Sequence, residues 1–275
     1  MLYLLLFFLI SCDNINKNDP NHGKKLRQLN REQVSAFQLI IDSADVKGSI
    51  LIYDPEKSLW LSNDFDWAAK GRLPASTFKI VNSIIAMETG VVEDDSTMFY
   101  WNGEKRRLPQ WERDMSFRDA FHLSCVPCYQ DVARRIGSER MNDYLAKFGY
   151  GNMKVDSSNI DVFWLQGDSE ISQFGQIDFL YRFYSGELPI AERTHQLMKN
   201  MMVLEENEKY RISGKTGWSI RDGNNNGWFV GYLEKSGKVW FFATNVTPNE
   251  EFNMEMFPKI RKEITYTAFR RLGIL

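Results

Sequence analysis

Ser76-Thr77-Phe78-Lys79-Ile80-Val81-Asn82-Ser83-Ile84-Ile85-Ala86-Met87 sets the architecture, because it places an apolar helix directly behind two short strands. Pro74 marks the helix entrance and Gly90 its end. Ahead of it, residues 48–53 and 59–61 read as strands, and Asp54-Pro55-Glu56-Lys57 between them predicts a hairpin. Further upstream, Val34, Phe37, Leu39 and Ile41 give helical periodicity over 33–41. Behind the helix, residues 91–204 show no convincing strand and read as helices over 117–123, 129–136, 140–148, 176–184 and 192–204. Strands return over 210–213, 227–234 and 239–246, the last two flanking the turn Lys235-Ser236-Gly237-Lys238, and a helix over 254–271 follows. Strands at both ends with helices between predict one sheet assembled from distant halves, 31–90 and 205–275, with a helical lobe inserted at 91–204.

The composition suits a globular chain with a real core. Of 275 residues, 43% are hydrophobic and 25% charged, and the mean hydropathy is −0.40. That excludes a polytopic membrane protein, a disordered tail and a disulfide-dense mini-protein. With 34 basic against 36 acidic residues and no long basic block, nucleic acid is not an expected partner. The 8 Trp suit an aromatic-lined cleft, although most such rings serve a core. Oligomeric state leaves no signature in the sequence.

The opening eleven residues, Met1 to Ser11, are uncharged and strongly apolar, too short to cross a bilayer as a helix and suited to a secretory signal. Leu9-Ile10-Ser11-Cys12 has the form of a bacterial lipobox, so Cys12 is expected to be lipidated, although no Lys or Arg precedes the apolar run. Residues 1–12 then form a lipoprotein-type leader and 13–30, rich in Asn, a tether. The expected location is exported and periplasmic, with membrane contact only through the lipid anchor.

Four short motifs follow one another along the chain. In Ser76-Thr77-Phe78-Lys79 the serine and lysine lie one helical turn apart and face the same way, near a helix N-terminus whose field favours developing negative charge. Alone it is weak, since an average chain shows about one such match by chance. Ser124-Cys125-Val126 and Tyr150-Gly151-Asn152 mean little in isolation. Lys215-Thr216-Gly217 lies on or beside a strand; its Gly214-Lys215-Thr216 fails as a phosphate-binding loop, because Lys209 stands where the leading glycine belongs and no helix follows. No G-x-S-x-G elbow is present. Cys125-Val126-Pro127-Cys128 admits three readings. A redox pair wants a strand running into it, whereas 117–123 reads as helix; zinc wants two more ligands, and His22, His122 and His195 are not paired at ligand spacing; a structural disulfide suits an exported protein.

In this order the motifs, with Phe163-Trp164-Leu165 downstream, resemble the penicillin-recognising serine transferases and hydrolases, and among them the class D β-lactamases. The resemblance spans roughly residues 25–275. It implies an antiparallel sheet flanked by helices, an all-helical subdomain, and a site in the groove between them. Ser76 would be the nucleophile that forms an acyl-enzyme with β-lactams, penicillins and oxacillin-like compounds included. Lys79 would be the base, as a neutral amine freed by burial. In class D that amine takes up CO2 to become N6-carboxylysine, with no metal or other cofactor, held by a Trp that corresponds here to Trp164. Ser124 would relay a proton to the leaving nitrogen beside Lys215. Thr216 and Arg261 would meet the substrate carboxylate, and Val126, Leu165, Gly217 and Trp218 would line the substrate. The backbone N–H groups of Ser76 and Trp218 would form the oxyanion hole.

Other readings stay open. Trp164 on its own reads as ordinary core, and Arg261, among Lys259, Lys262 and Arg270, as a surface helix charge. A β-lactam sensor or penicillin-binding protein that acylates without efficient turnover shares the motifs. Two features depart from the family pattern: Cys125 in the middle of the serine motif, and Trp218, larger than many residues found there.

Overall fold

The computed structural model describes residues 30–275; the leader, Cys12 and residues 13–29 of the expected tether lie outside the described residues. The chain begins with β1 (Arg31–Gln33), α1 (Ser35–Ser43), β2 (Val46–Asp54), β3 (Leu59–Ser62) and α2 (Phe65–Ala69). A 3-10 turn, Ala75–Phe78, leads into α3 (Lys79–Glu88). There follow β4 (Met98–Phe99), β5 (Met115–Ser116), α4 (Phe117–His122), α5 (Val126–Ile136), α6 (Ser138–Phe148), α7 (Gln173–Tyr184) and α8 (Glu192–Met201). β6 (Val203–Glu206), β7 (Arg211–Arg221), β8 (Asn224–Lys235), β9 (Lys238–Pro248) and α9 (Phe257–Arg271) complete it.

The main sheet has seven strands in the order β1-β3-β2-β9-β8-β7-β6. The two distant halves meet where β2 pairs antiparallel with β9, Ile50 opposite Thr244 and Ile52 opposite Phe242. Side chains alternate across the strands. Leu51, Tyr53, Val230 and Ala243 face a core shared with α3, α5 and α7, while Ile50, Ile52, Phe229 and Phe242 face a second core capped by α1 and α9. Both faces of the sheet are therefore covered, which explains why 50–53 is a continuous apolar run and not an alternating one.

Four local expectations are corrected. The first turn at Ser76 is 3-10 and not α, so α3 begins only at Lys79. The helix expected through residue 204 stops at Met201, because Val203 pairs with Ser213 on the exposed flank of β7. Within 91–204, β4 and β5 form a separate two-stranded sheet too short to show a period of two. β1 adds a parallel strand beside β3, a pairing that polar Arg31-Glu32-Gln33 does not signal.

Candidate active site

Ser76 sits in the 3-10 turn and Lys79 opens α3, so the turn brings the lysine amine to 3.3 Å from the Ser76 hydroxyl. Lys79 is 1% exposed. With no carboxylate among the described residues to hold its proton, burial lowers its pKa from 10.5 to about 7. Its amine also lies 4.8 Å from the centre of the Tyr129 ring. Ala75, just before the serine, has φ +51°, a left-handed conformation costing about 1 kcal/mol or more in a non-glycine residue. That conformation is held by an Ala75 N–H donated to the Trp164 carbonyl at 2.9 Å.

The second serine–lysine pair stands near the first, close enough for the charge of Lys79 to act on Lys215. Ser124 follows α4, also with a positive φ of +54°, and its hydroxyl accepts from Lys215 Nζ at 2.5 Å. Lys215 lies in β7 and is buried; desolvation, then the nearby positive charges of Lys79, Arg261 and Lys262, drives its pKa well below the usual lysine value. Two lysines that disfavour each other's charge stand here beside two hydroxyls. The arrangement can take a proton from one hydroxyl and return one through the other.

β7 can carry Lys215 past the 3-10 turn because β6 pairs with it only as far as Ser213, leaving the rest of that flank free of strand. Gly217 makes the approach possible: a Cβ there would stand 3.1 Å from the Pro74 carbonyl oxygen and 3.2 Å from the Thr77 nitrogen. Thr216 and Trp218 alternate to the other face. Trp218 packs in the α9-side core, its ring edge-on to Phe257 at 5.3 Å and its indole N–H donated to Asn225 at 2.8 Å. Arg261 is 6% exposed, not a surface charge: its guanidinium donates to the Gly217 carbonyl and to Phe257 and Pro258 carbonyls of its own helix. Burial lowers its pKa to about 10. Gly227 on β8 lets α9 close in, since a Cβ there would meet Phe257 at 2.6 Å and Arg261 at 2.8 Å.

Phe78, between the serine and the lysine, organises the aromatic wall. It stacks on Trp164 at 5.6 Å and meets Phe163 at 4.8 Å and Tyr150 at 5.9 Å. Trp164 is fully buried, and its indole N–H has no hydrogen-bond partner among the described residues. Val126 and Leu165 are half-buried against the same core. Among the described residues, no group of three or more His, Cys, Asp or Glu is placed to hold a metal.

The family model of the penicillin-binding protein transpeptidase domain matches residues 37–269. Beta-lactamase OXA-48 of Klebsiella pneumoniae is 39% identical over 79% of this chain and 82% of its own length, and Beta-lactamase OXA-10 of Pseudomonas aeruginosa 38% over 84% and 86%. The crystal structure of the class D β-lactamase from Sebaldella termitidis superposes with a TM-score of 0.84 at 36% identity, covering 90% of this chain and 99% of that one. The chain belongs to the class D β-lactamases.

This class D β-lactamase, a serine hydrolase by family, also uses residues that its motifs do not announce. Gln176 on α7 donates to the Thr77 hydroxyl at 2.8 Å and accepts from the Tyr150 hydroxyl at 3.2 Å, and Thr77 donates to the Pro74 carbonyl at 2.6 Å. The Tyr-Gly-Asn motif thus supports the 3-10 turn through one buried amide. Asn152 of that motif exchanges backbone hydrogen bonds with Glu170, and Arg72 with Ile171, closing off the loop that carries Trp164 and Leu165. Trp111 donates its indole N–H to the Leu123 carbonyl at 3.0 Å, fixing the residue before Ser124. A buried Gln in an apolar helix was the only signal for the first; a lone Trp in a loop gave none for the second.

Proposed function

We propose that the protein hydrolyses the amide bond of β-lactams, penicillins and oxacillin-like compounds included, through an acyl-enzyme on Ser76. The observation that carries this reading is the buried Ser76–Lys79 pair, 3.3 Å apart, with the amine brought to about 7. In that state Lys79 is half neutral at neutral pH and accepts the hydroxyl proton as Ser76 Oγ adds to the lactam carbonyl. The N–H groups of Ser76 and Trp218 hold the oxyanion. As the C–N bond breaks, Ser124 gives its proton to the leaving nitrogen and recovers one from Lys215. Water then adds to the ester and releases the serine. Thr216 and Arg261 orient the substrate carboxylate beside Gly217, while Val126 and Leu165 bound the cleft; Trp218, expected to line the substrate, contributes only its backbone N–H, since its ring packs in the α9-side core.

Residues around Lys79 suit a carbamate. The amine is neutral enough to add CO2, and the buried Trp164 N–H has no acceptor among the described residues. Carbamoylated Lys79 supplies an anionic oxygen base for activating Ser76 and the deacylating water. Trp164 would donate its N–H to that oxygen, and the stacked Phe78 ring keeps bulk water away. No helix among the described residues is long and apolar enough to cross a membrane. The leader supports export and a lipid on Cys12; a Cys12→Ser variant is expected in the soluble periplasmic fraction instead of the membrane pellet.

The test counts turnovers of a chromogenic β-lactam with and without added bicarbonate. Many turnovers per enzyme, raised by bicarbonate, support the reading. A burst of one equivalent that stalls would make the protein a sensor or transpeptidase, and no burst would make it catalytically dead.

A further inference from the structure

The Cys125–Cys128 pair is a motif that the family's chemistry does not use. The two cysteines form a disulfide, which excludes a zinc role for them, and at 0% and 4% exposure neither sulfur is open to attack by a partner thiol. We propose that this disulfide is a positioning device for Ser124, a reading that rests on the proposed role of Ser124 in acylation.

Ser124 is held in a left-handed conformation that an L-residue adopts only under constraint, and the next residue, Cys125, is the N-cap of α5. A helix N-cap ordinarily supplies an oxygen to the N–H of the third helical residue. That third residue is Cys128, and Cys125 offers it only a sulfur, a weak acceptor at 3.3 Å. The covalent bond between the two side chains replaces the missing cap and closes the first turn. Pro127, at the second position, has no N–H to contribute.

From the other side, Ser124 is held by its own N–H on the Phe121 carbonyl, by Cys125 N–H on the Ala120 carbonyl, and by Trp111 on the Leu123 carbonyl. Reduction would leave two unbonded sulfurs that must move apart in a filled core, where Cys128 Sγ already touches Met115 Sδ at 3.8 Å. Because Cys125 directly follows Ser124, that movement strains the hydrogen bonds of Ser124 and Cys125 to Phe121 and Ala120. Moving that backbone takes the Ser124 hydroxyl off Lys215 while leaving Ser76 and Lys79, on a different element, in place.

A phosphine tests this on the whole enzyme. It reduces the disulfide with its lone pair, water supplying two protons and the oxygen of the phosphine oxide, and thiol titration should rise by two above any contribution from Cys12. Acylation by a chromogenic β-lactam, followed before the steady state, is expected to slow about 10- to 100-fold, as for a misplaced catalytic group, with deacylation unchanged. Reoxidation of the pair by dissolved oxygen, which needs no mixed disulfide, should restore it. If the buried bond resists the phosphine, Cys125→Ala with Cys128→Val should show the same acylation loss, and Cys125→Ser with Cys128→Ala, which restores an oxygen cap, should recover part of it. Acylation within twofold of the oxidised enzyme in the reduced protein or the Ala/Val variant overturns the proposal. So do two free thiols at these positions in the untreated enzyme. An oxidised enzyme that never acylates counts instead against the proposed function.

Discussion

In the proposed mechanism the Lys79 amine sets both the chemistry and a pH signature. Acylation by the proposed route needs the neutral form in the absence of CO2, so in CO2-free buffer kcat/KM should climb through pH about 7 and level off near pH 8. Lys79→Ala should lower it by roughly 10²- to 10⁴-fold, the usual worth of a positioned base. Stability carries the same mark. The folded pKa lies below the unfolded 10.5, so the unfolded chain binds more protons between about 7 and 10.5 and stability rises with pH across that window. Urea melts at pH 7 and pH 9 should show the rise, and Lys79→Met should make it shallower. Trp164→Phe keeps the ring against Phe78 and deletes only the unpartnered N–H. Deacylation is expected to slow about 10- to 100-fold, with more bicarbonate needed for half-maximal turnover; an unchanged bicarbonate requirement contradicts the assignment. These residues were legible in the sequence because each stands inside a short motif. Arg261 was legible only as a candidate: its burial under Trp218 follows from Gly227, on a strand more than thirty residues away along the chain.

The 3-10 turn Ala75–Phe78 is the element on which the site depends, and it is braced from three directions: Gly217 of β7 against its backbone, the Trp164 carbonyl on Ala75, and Gln176 on Thr77. Gln176→Ala removes a buried amide that bonds both the Tyr150 and the Thr77 hydroxyls, at a cost of about 1–3 kcal/mol. We expect a lower urea midpoint together with a reduced kcat and an unchanged KM; loss of stability alone would make Gln176 merely structural. The long strands and the helices were legible from apolar periodicity and turn residues. The 3-10 geometry was not, since Ser76 and Lys79 share a face in either kind of helix. Nor was the end of α8, where a pairing with β7 overrides a sequence that continues the helical pattern.

For the whole molecule, the sheet is a wall between two cores, and Phe78 and Trp164, the rings around Ser76 and Lys79, belong to only one of them. Phe242, in the α9-side core, is fully buried and remote in packing from Ser76 and Lys79. Phe242→Ala should cost about 3–5 kcal/mol in denaturant melts while leaving KM unchanged. A matching loss of substrate affinity would mean that the two cores are coupled through the sheet. The join of 31–90 to the C-terminal strands was legible as strands at both ends of the chain; the pairing of β2 with β9 was not, because a run buried on both faces carries no register signal. The most direct test of the central claim is intact and peptide mass analysis of enzyme quenched within the first turnover of a slowly hydrolysed penicillin. An adduct of the whole β-lactam is expected on the peptide that carries Ser76, decaying as product forms. No adduct, an adduct on another residue, or one that never decays would contradict it.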